Sequence, residues 1–212
     1  GLVPKFVEAH RISPFTFRSA DVGVVFDMMI HDIDILLHLV RDQVQRVDAV
    51  GVSVLSEHED LANARIVFQN GAVANLTGSR LALKRERRLR VFCEHAYVSL
   101  DYEKRVGIAI TLDKNVDVIR LARERNVEDL SQLAGVDFGS MVRVEPLAVE
   151  ARDALQSELE AFVDCVRHRQ RPPVSAEDGA AAVGLAEQIV ASLRAHDWGT
   201  GRGMPTVGAA TP

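Results

Sequence analysis

Hydrophobic and polar residues alternate over short stretches of this chain and recur at helical spacing over longer ones. Alternation predicts strands at 4–12, 44–55, 61–68, 72–79, 89–93, 97–101, 106–112 and 141–145. Asn70-Gly71 separates two of these strands and predicts a hairpin, because this dipeptide tolerates positive φ. Spacings of three and four residues predict helices at 26–40, at 150–168 and after Ser175, which forms a capping box with Asp178.

The order of these elements predicts an α+β fold with an open, mostly antiparallel mixed sheet and helices packed on one face. Regular alternation of strands and helices is lacking, so a doubly wound sheet is not expected. The second sheet face must be solvated or must contact a partner. We expect a single domain over 1–197, with a charged, irregular excursion at 120–139, and a flexible tail over 198–212.

Composition narrows the class of protein. The 212 residues include 47% hydrophobic residues and carry a net charge of −5, which excludes a disordered chain and argues against nucleic-acid binding. The longest apolar run, 22–30, is interrupted by Asp27 and is too short to cross a membrane. Cys93 and Cys165 lie far apart, without metal-ligand spacing, which is typical of a cytoplasmic protein and predicts no cysteine-based metal site.

The helix predicted at 26–40 carries the most informative pattern. Asp27, His31, Asp34 and His38 fall on one narrow stripe at 100° per residue, and nearly all other positions are apolar. We therefore expect a largely buried helix whose stripe faces a cleft or a buried polar network. Asp27 and His31 are spaced for direct pairing, and an imidazole beside a carboxylate suits proton transfer.

Three interpretations of this stripe are open at this point: a self-satisfied network or partner contact, a catalytic pair, and a metal site. The triplet at 58–60, His-Glu-Asp, could add metal ligands, although it is more typical of a polar turn before a strand. A second polar feature is the basic stretch 80–90, which holds six Lys and Arg residues. It is typical of a solvated loop and edge strand, with phosphate binding and nucleic-acid binding as the alternatives.

Several segments together resemble one family. Gly23 precedes the motif Asp27-x-x-x-His31-x-x-Asp34, and the hairpin strand ends in Phe68-x-Asn70-Gly71. With the strand at 7–11, the helix segment at 158–164 and the Arg-Pro-Pro loop at 171–173, they resemble the Gfo/Idh/MocA oxidoreductases over about residues 3–196.

The resemblance implies a C-terminal α/β domain, similar to that of glyceraldehyde-3-phosphate dehydrogenase, which shapes a substrate pocket and builds a homo-oligomer through its sheet. It implies NAD or NADP as cofactor, bound mainly by an N-terminal Rossmann domain, and a sugar, sugar nucleotide or cyclitol as substrate. His31 would be the general acid/base and Asp27 would orient it or bind a neighbouring hydroxyl. Arg11, Asp34 and Arg80 are candidates for substrate binding, although Arg11 could instead pair with Asp21 or Glu8.

The sequence departs from the family pattern at the cofactor motifs. It has no Gly-x-Gly-x-x-Gly, and none of its lysines follows Glu and precedes Pro. We therefore interpret the chain as the C-terminal domain alone, without a Rossmann domain, and expect it to bind NAD(P) poorly and to be inactive by itself. The competing hypotheses are a non-catalytic carbohydrate-binding or oligomerisation domain and a metal-dependent enzyme.

Overall fold

The computed structural model describes residues 2–16, 21–112, 142–148 and 153–196, so the predicted excursion at 120–139 and the tail at 198–212 lie outside the described residues. The strands match the alternation pattern closely. They are β1 (Pro4–Ile12), β2 (Val44–Val52), β3 (Leu61–Phe68), β4 (Val73–Ser79), β5 (Glu86–Cys93), β6 (Ala96–Asp101), β7 (Val106–Leu112) and β8 (Val142–Ala148).

The described strands form one eight-stranded sheet in the order β2-β3-β4-β1-β5-β6-β7-β8. Only the β1–β4 neighbours run parallel; the other neighbouring pairs in this sheet are antiparallel. The predicted α+β class with an open mixed sheet is therefore confirmed. The predicted hairpin joins β3 to β4, and Gly71 takes the positive φ of 83° that the turn requires.

The helix predicted at 26–40 is two elements in the structure. A π-helical turn covers Val25–Met29 and passes directly into α1 (Ile30–Val40), which ends at Arg41 with a left-handed φ of 52°. The two further helices are α2 (Ala154–His168) and α3 (Ala176–Ala195). The predicted Ser175–Asp178 capping box is present in both directions at the start of α3.

The core lies between two layers. One is the half of the sheet that holds β2, β3, β4 and β1, and the other is formed by the π-helical turn, α1 and α3. Helix α1 packs on β1 and β4, whereas α3 packs on β2 and on α1. Fully buried side chains from both layers meet there, among them Val7, Leu76, Met29, Ile33, Leu36 and Ile189. Helix α2 contributes no buried residue. Within the described residues, no helix is long and apolar enough to span a membrane.

Candidate functional site

Asp27 and His31 lie where the π-helical turn meets α1. Asp27 is half-buried within the turn, and His31 is exposed in the first turn of α1. Among the described residues, no hydrogen bond or ion pair joins Asp27 to His31. The predicted pairing assumed an α-helix throughout, but a π-helical turn closes through i→i+5 bonds and changes the relative direction of the two side chains.

The sequence predicted a largely buried helix whose stripe faces a cleft or a buried polar network. The helix is instead buried mainly on one face, although Asp34 and His38 of the stripe line an open groove. His31 and His38 are exposed, and Asp34 is half-buried. Only the opposite face of the helix is covered, by contact with α3 and the sheet, at Met29, Ile33, Leu36 and Val40. The described residues provide a single helix layer on this sheet, so its outer surface, with the stripe, is left open.

Glu59 holds the beginning of the π-helical turn. Its backbone carbonyl accepts from the Val24 amide at 2.9 Å, and its carboxylate Oε1 accepts from the Val25 amide at 3.2 Å. The carboxylate lies directly over Gly23, where an added Cβ would be 2.0 Å from Oε1. A side chain at position 23 would therefore displace the Glu59 carboxylate from its place beside the Val25 amide. A carboxylate is a favourable partner for amides at a helix beginning.

Asp60 anchors the loops next to this turn and is completely buried. Its Oδ2 accepts from the amides of Val54 and Leu55 at 2.7 and 2.6 Å, and its Oδ1 accepts from Arg80 Nε at 2.7 Å. Burial raises the pKa of the Asp60 carboxyl, but the amide donors of Leu55 and Val54, followed by the Arg80 and Ser56 side chains, outweigh it and hold this pKa well below its usual range.

Glu59 and Asp60 were expected in a polar turn or as additional metal ligands. Both lie in the turn before β3, as expected, but they are buried at 7% and 0% exposure and bind protein groups. In the described part of the chain, no group of three or more His, Cys, Asp or Glu side chains is arranged to hold a metal ion.

Arg80 is also not where the sequence suggested. It was expected on a solvated loop or as a phosphate ligand, but its side chain is only 3% exposed. Besides Asp60, its guanidinium donates to the Val22 carbonyl at 2.9 Å and to Ser56 Oγ at 2.8 Å. Arg80 thus connects the loop before the π-helical turn to the loop that holds Asp60, and its described bonds are internal to the protein.

Arg11 forms a two-pronged bond to α1. Its Nε and Nη2 donate to the two carboxylate oxygens of Asp32 at 2.7 and 2.8 Å, and both side chains are largely buried. The pairing of Arg11 with Asp21 or Glu8, considered from the sequence, is therefore not formed. Asp32 was missed because it lies off the stripe, although it is the one acidic residue of 30–40 outside that stripe. The pair fixes the turn that carries His31.

Tyr102 lies beside the Arg11–Asp32 pair. Burial raises the pKa of its hydroxyl, the Asp32 carboxylate raises it further, and the Arg11 guanidinium partly offsets both effects. The ring is still 37% exposed. Sequence reasoning gave no signal for Tyr102, because only strand pairing brings the β6–β7 turn to this position.

Asp34 lies on the side of α1 away from the Arg11–Asp32 pair. Together with Leu37 and His38 it lines an open groove of about 830 Å³, whose opposite wall is the Arg171–Val174 loop and the beginning of α3. The structure therefore separates the three side chains predicted for substrate binding. Arg11 is bonded to Asp32 on α1, Arg80 is buried on Asp60, and only Asp34 lines an open groove.

Comparison with known proteins identifies a matching family model and relatives of this chain. Residues 6–99 match the family model described as "GFO/IDH/MocA C-terminal domain", a range that includes Asp27, His31 and Arg11. UDP-N-acetylglucosamine 3-dehydrogenase from Acidithiobacillus ferrooxidans is 33% identical over 163 residues, which are 77% of this chain and 46% of that protein. Myo-inositol 2-dehydrogenase from Thermotoga maritima is 27% identical over 188 residues, covering 85% and 49% of the two chains. This chain thus spans about half the length of these relatives.

Solved structures show the same fold. UDP-N-acetylglucosamine 3-dehydrogenase GnnA from Acidithiobacillus ferrooxidans superposes with a TM-score of 0.74 at 29% identity, over 90% of this chain and 55% of that chain. Levoglucosan dehydrogenase in complex with NADH gives a TM-score of 0.66 at 14% identity, over 90% and 56% of the two chains. At 14% identity the second likeness concerns the fold alone.

Proposed function

Since this chain is a C-terminal domain of the Gfo/Idh/MocA family, we propose that it binds the substrate and transfers the proton in an NAD(P)-dependent oxidoreductase. The reaction would oxidise or reduce a carbinol of a sugar or sugar nucleotide. The observation that carries this proposal is the position of His31, an exposed imidazole in the first turn of α1, directly after the π-helical turn that holds Asp27. π-helical turns within helices are frequent at functional sites.

The described part of the chain lacks the features of a dinucleotide-binding fold. Its 212 residues contain no Gly-x-Gly-x-x-Gly, and the described sheet is mostly antiparallel. The cofactor would therefore be held mainly by a separate Rossmann domain. A nicotinamide supplies hydride transfer, which leaves the proton on the substrate oxygen to the residues of this domain.

We assign this proton to His31. A ring nitrogen of an imidazole can accept the hydroxyl proton during oxidation and return it during reduction. Asp27, half-buried and without a described side-chain partner, would accept a hydrogen bond from the same or a neighbouring hydroxyl.

The other predicted residues receive different roles. Arg11 acts through Asp32 by fixing the turn that carries His31. Arg80 maintains the loops around the π-helical turn. Asp34, for which the described residues provide no bonded partner, stays a candidate acceptor for substrate hydroxyls in its groove.

We further propose that the sheet face opposite the helices contacts a second copy of this chain. An aromatic row crosses three strands on this face, with ring centroids 5.8 Å apart for Phe6–Phe92 and 4.9 Å apart for Phe92–Tyr97. Phe92 is 38% exposed, and Val144 at the far edge of the same row is 54% exposed. A Phe92→Asp variant should lower the molar mass measured by light scattering; an unchanged mass would contradict this assignment.

Ligand binding to the purified chain tests the function. We expect UDP-N-acetylglucosamine or myo-inositol, the compounds named by the relatives, to bind in calorimetry. We expect His31→Ala to weaken binding and His168→Ala, an exposed histidine at the end of α2, to leave it unchanged.

One observation favours a second candidate function, a non-catalytic binding or oligomerisation domain: Asp27 and His31 are not bonded to each other. Binding that is insensitive to His31→Ala, together with a stable oligomer, would support this alternative and contradict the assignment of proton transfer to His31.

A further inference from the structure

We propose that Arg87 and Tyr102 form an anion subsite that binds the diphosphate of a sugar-nucleotide substrate beside the proton-transfer residue. This inference rests on the proposed function and names its substrate class. It starts from the basic stretch 80–90, whose role the fold and the candidate site described above leave open.

Strand register places these two residues in one row with Arg11. Arg87 on β5 lies directly opposite Arg11 on β1. The Tyr102 amide, just after β6, donates to the Arg87 carbonyl at 2.8 Å, so Tyr102 comes next in the row. Directly opposed residues of antiparallel strands point to the same face of a sheet. Because Arg11 reaches Asp32 on α1, this face is the one that carries the helices.

The row has an excess positive charge. Two arginines directly opposite each other repel unless a counter-charge intervenes. Asp32 uses both oxygens on Arg11 and compensates one of the two guanidinium groups. Arg87 is exposed, and no described carboxylate lies within ion-pair distance of it. One positive charge is therefore left over, and Tyr102 adds a hydroxyl donor next to it.

The neighbouring arginines of β5 have other roles. Arg88 and Arg90 point to the opposite face, where Arg88 lies 3.6 Å from Glu86 and 3.9 Å from Asp101, and Arg90 donates to Glu8 at 2.9 Å. Within β5, Arg87 is thus the cation that faces the side of α1 without an acidic partner in the described residues.

The chemistry of a sugar nucleotide fits this arrangement. A planar guanidinium binds two phosphate oxygens at once, and such charge-assisted bonds are about twice as strong as neutral ones. The diphosphate is bonded directly to the sugar ring, so its subsite must adjoin the group that handles the ring hydroxyl. His31 immediately precedes Asp32, the residue that anchors the row to α1.

Calorimetry with three probes tests the subsite: UDP-N-acetylglucosamine, inorganic pyrophosphate and myo-inositol. Arg87→Ala should weaken the binding of UDP-N-acetylglucosamine about 10- to 100-fold, the loss in affinity expected for a charge-assisted bond. Arg87→Lys should recover part of this loss in affinity. Tyr102→Phe should lower the affinity less than Arg87→Ala does. Arg88→Ala, on the same strand but the opposite face, is the matched control and should bind normally.

The outcomes separate the subsite from the proposed function. Unchanged UDP-N-acetylglucosamine affinity in Arg87→Ala overturns the subsite, as does an equal loss for Arg88→Ala. Binding of myo-inositol alone, lost in His31→Ala, supports the function and overturns the subsite. Pyrophosphate binding that needs Arg87, without binding of either sugar compound, supports the subsite and overturns the function. Absence of all binding by the wild-type chain overturns both.

Discussion

Replacing Arg80 by leucine should destabilise this protein far more than replacing an exposed arginine. Asp60 is 0% exposed, and Arg80 supplies the positive charge that faces it at 2.7 Å. Removing one partner of a buried ion pair costs about 3–5 kcal/mol, because the remaining charge is left uncompensated. The amides of Val54 and Leu55 still donate to Asp60 in the variant. We therefore expect a loss at the lower end, about 3 kcal/mol of unfolding free energy.

Urea unfolding followed by circular dichroism at pH 7 measures this loss. The control is Arg46→Leu, whose ion pair with Asp48 has a similar distance of 2.8 Å but is 64% and 56% exposed, so the loss should be below about 1 kcal/mol. A double variant, Asp60→Asn with Arg80→Leu, should recover part of the stability because no buried charge is left. Equal losses for Arg80→Leu and Arg46→Leu would refute the reasoning.

The same pair predicts a pH dependence. The folded-state pKa of Asp60 lies below the unfolded value of about 3.9, so its ionised form stabilises the fold. This stabilisation is fully present above the unfolded pKa and is lost progressively as the pH falls toward the folded pKa. The difference in unfolding free energy between wild type and Asp60→Asn should thus be constant from pH 7 to about pH 5 and shrink below about pH 4. A difference that is unchanged down to pH 2.5 would contradict the assignment.

Two smaller changes test the local geometry by thermal and urea unfolding. Gly23→Ala should cost about 1–3 kcal/mol because its Cβ would meet the Glu59 carboxylate. Gly179→Ala in α3, where an added Cβ has no atom within 4 Å, should stabilise the protein by about 0.5–1 kcal/mol. A change of the same sign in both variants would disprove this interpretation. Ser175→Ala should lower the free energy of unfolding by about 1 kcal/mol, because it removes the side-chain oxygen that accepts from the Asp178 amide. Ser175→Asn should retain most of the stability, because Asn is also a favourable cap. Equal losses for the two variants would show that the cap is not the cause.

The sequence by itself determined the elements and the class of the fold. Strand alternation is a local property, and β1, β3 and β7 begin and end where the pattern predicted. Turn and cap chemistry is equally local, which is why Gly71 and the Ser175 capping box were found correctly. The ordered motif set around Asp27 and His31 indicated the family for the same reason, since it depends on residue types at fixed spacing.

Tertiary structure decided which polar groups meet. Arg80 and Arg87 belong to one basic stretch, yet one is buried on Asp60 and the other is exposed beside Arg11. Their difference depends on strand register and loop packing over long sequence separations, which periodicity does not encode. The π-helical turn is a comparable case, because Glu59, 34 residues after Val25, holds its first amides and thereby sets the direction of Asp27. Spacing predicted the candidate residues, whereas contacts between distant segments determined their partners.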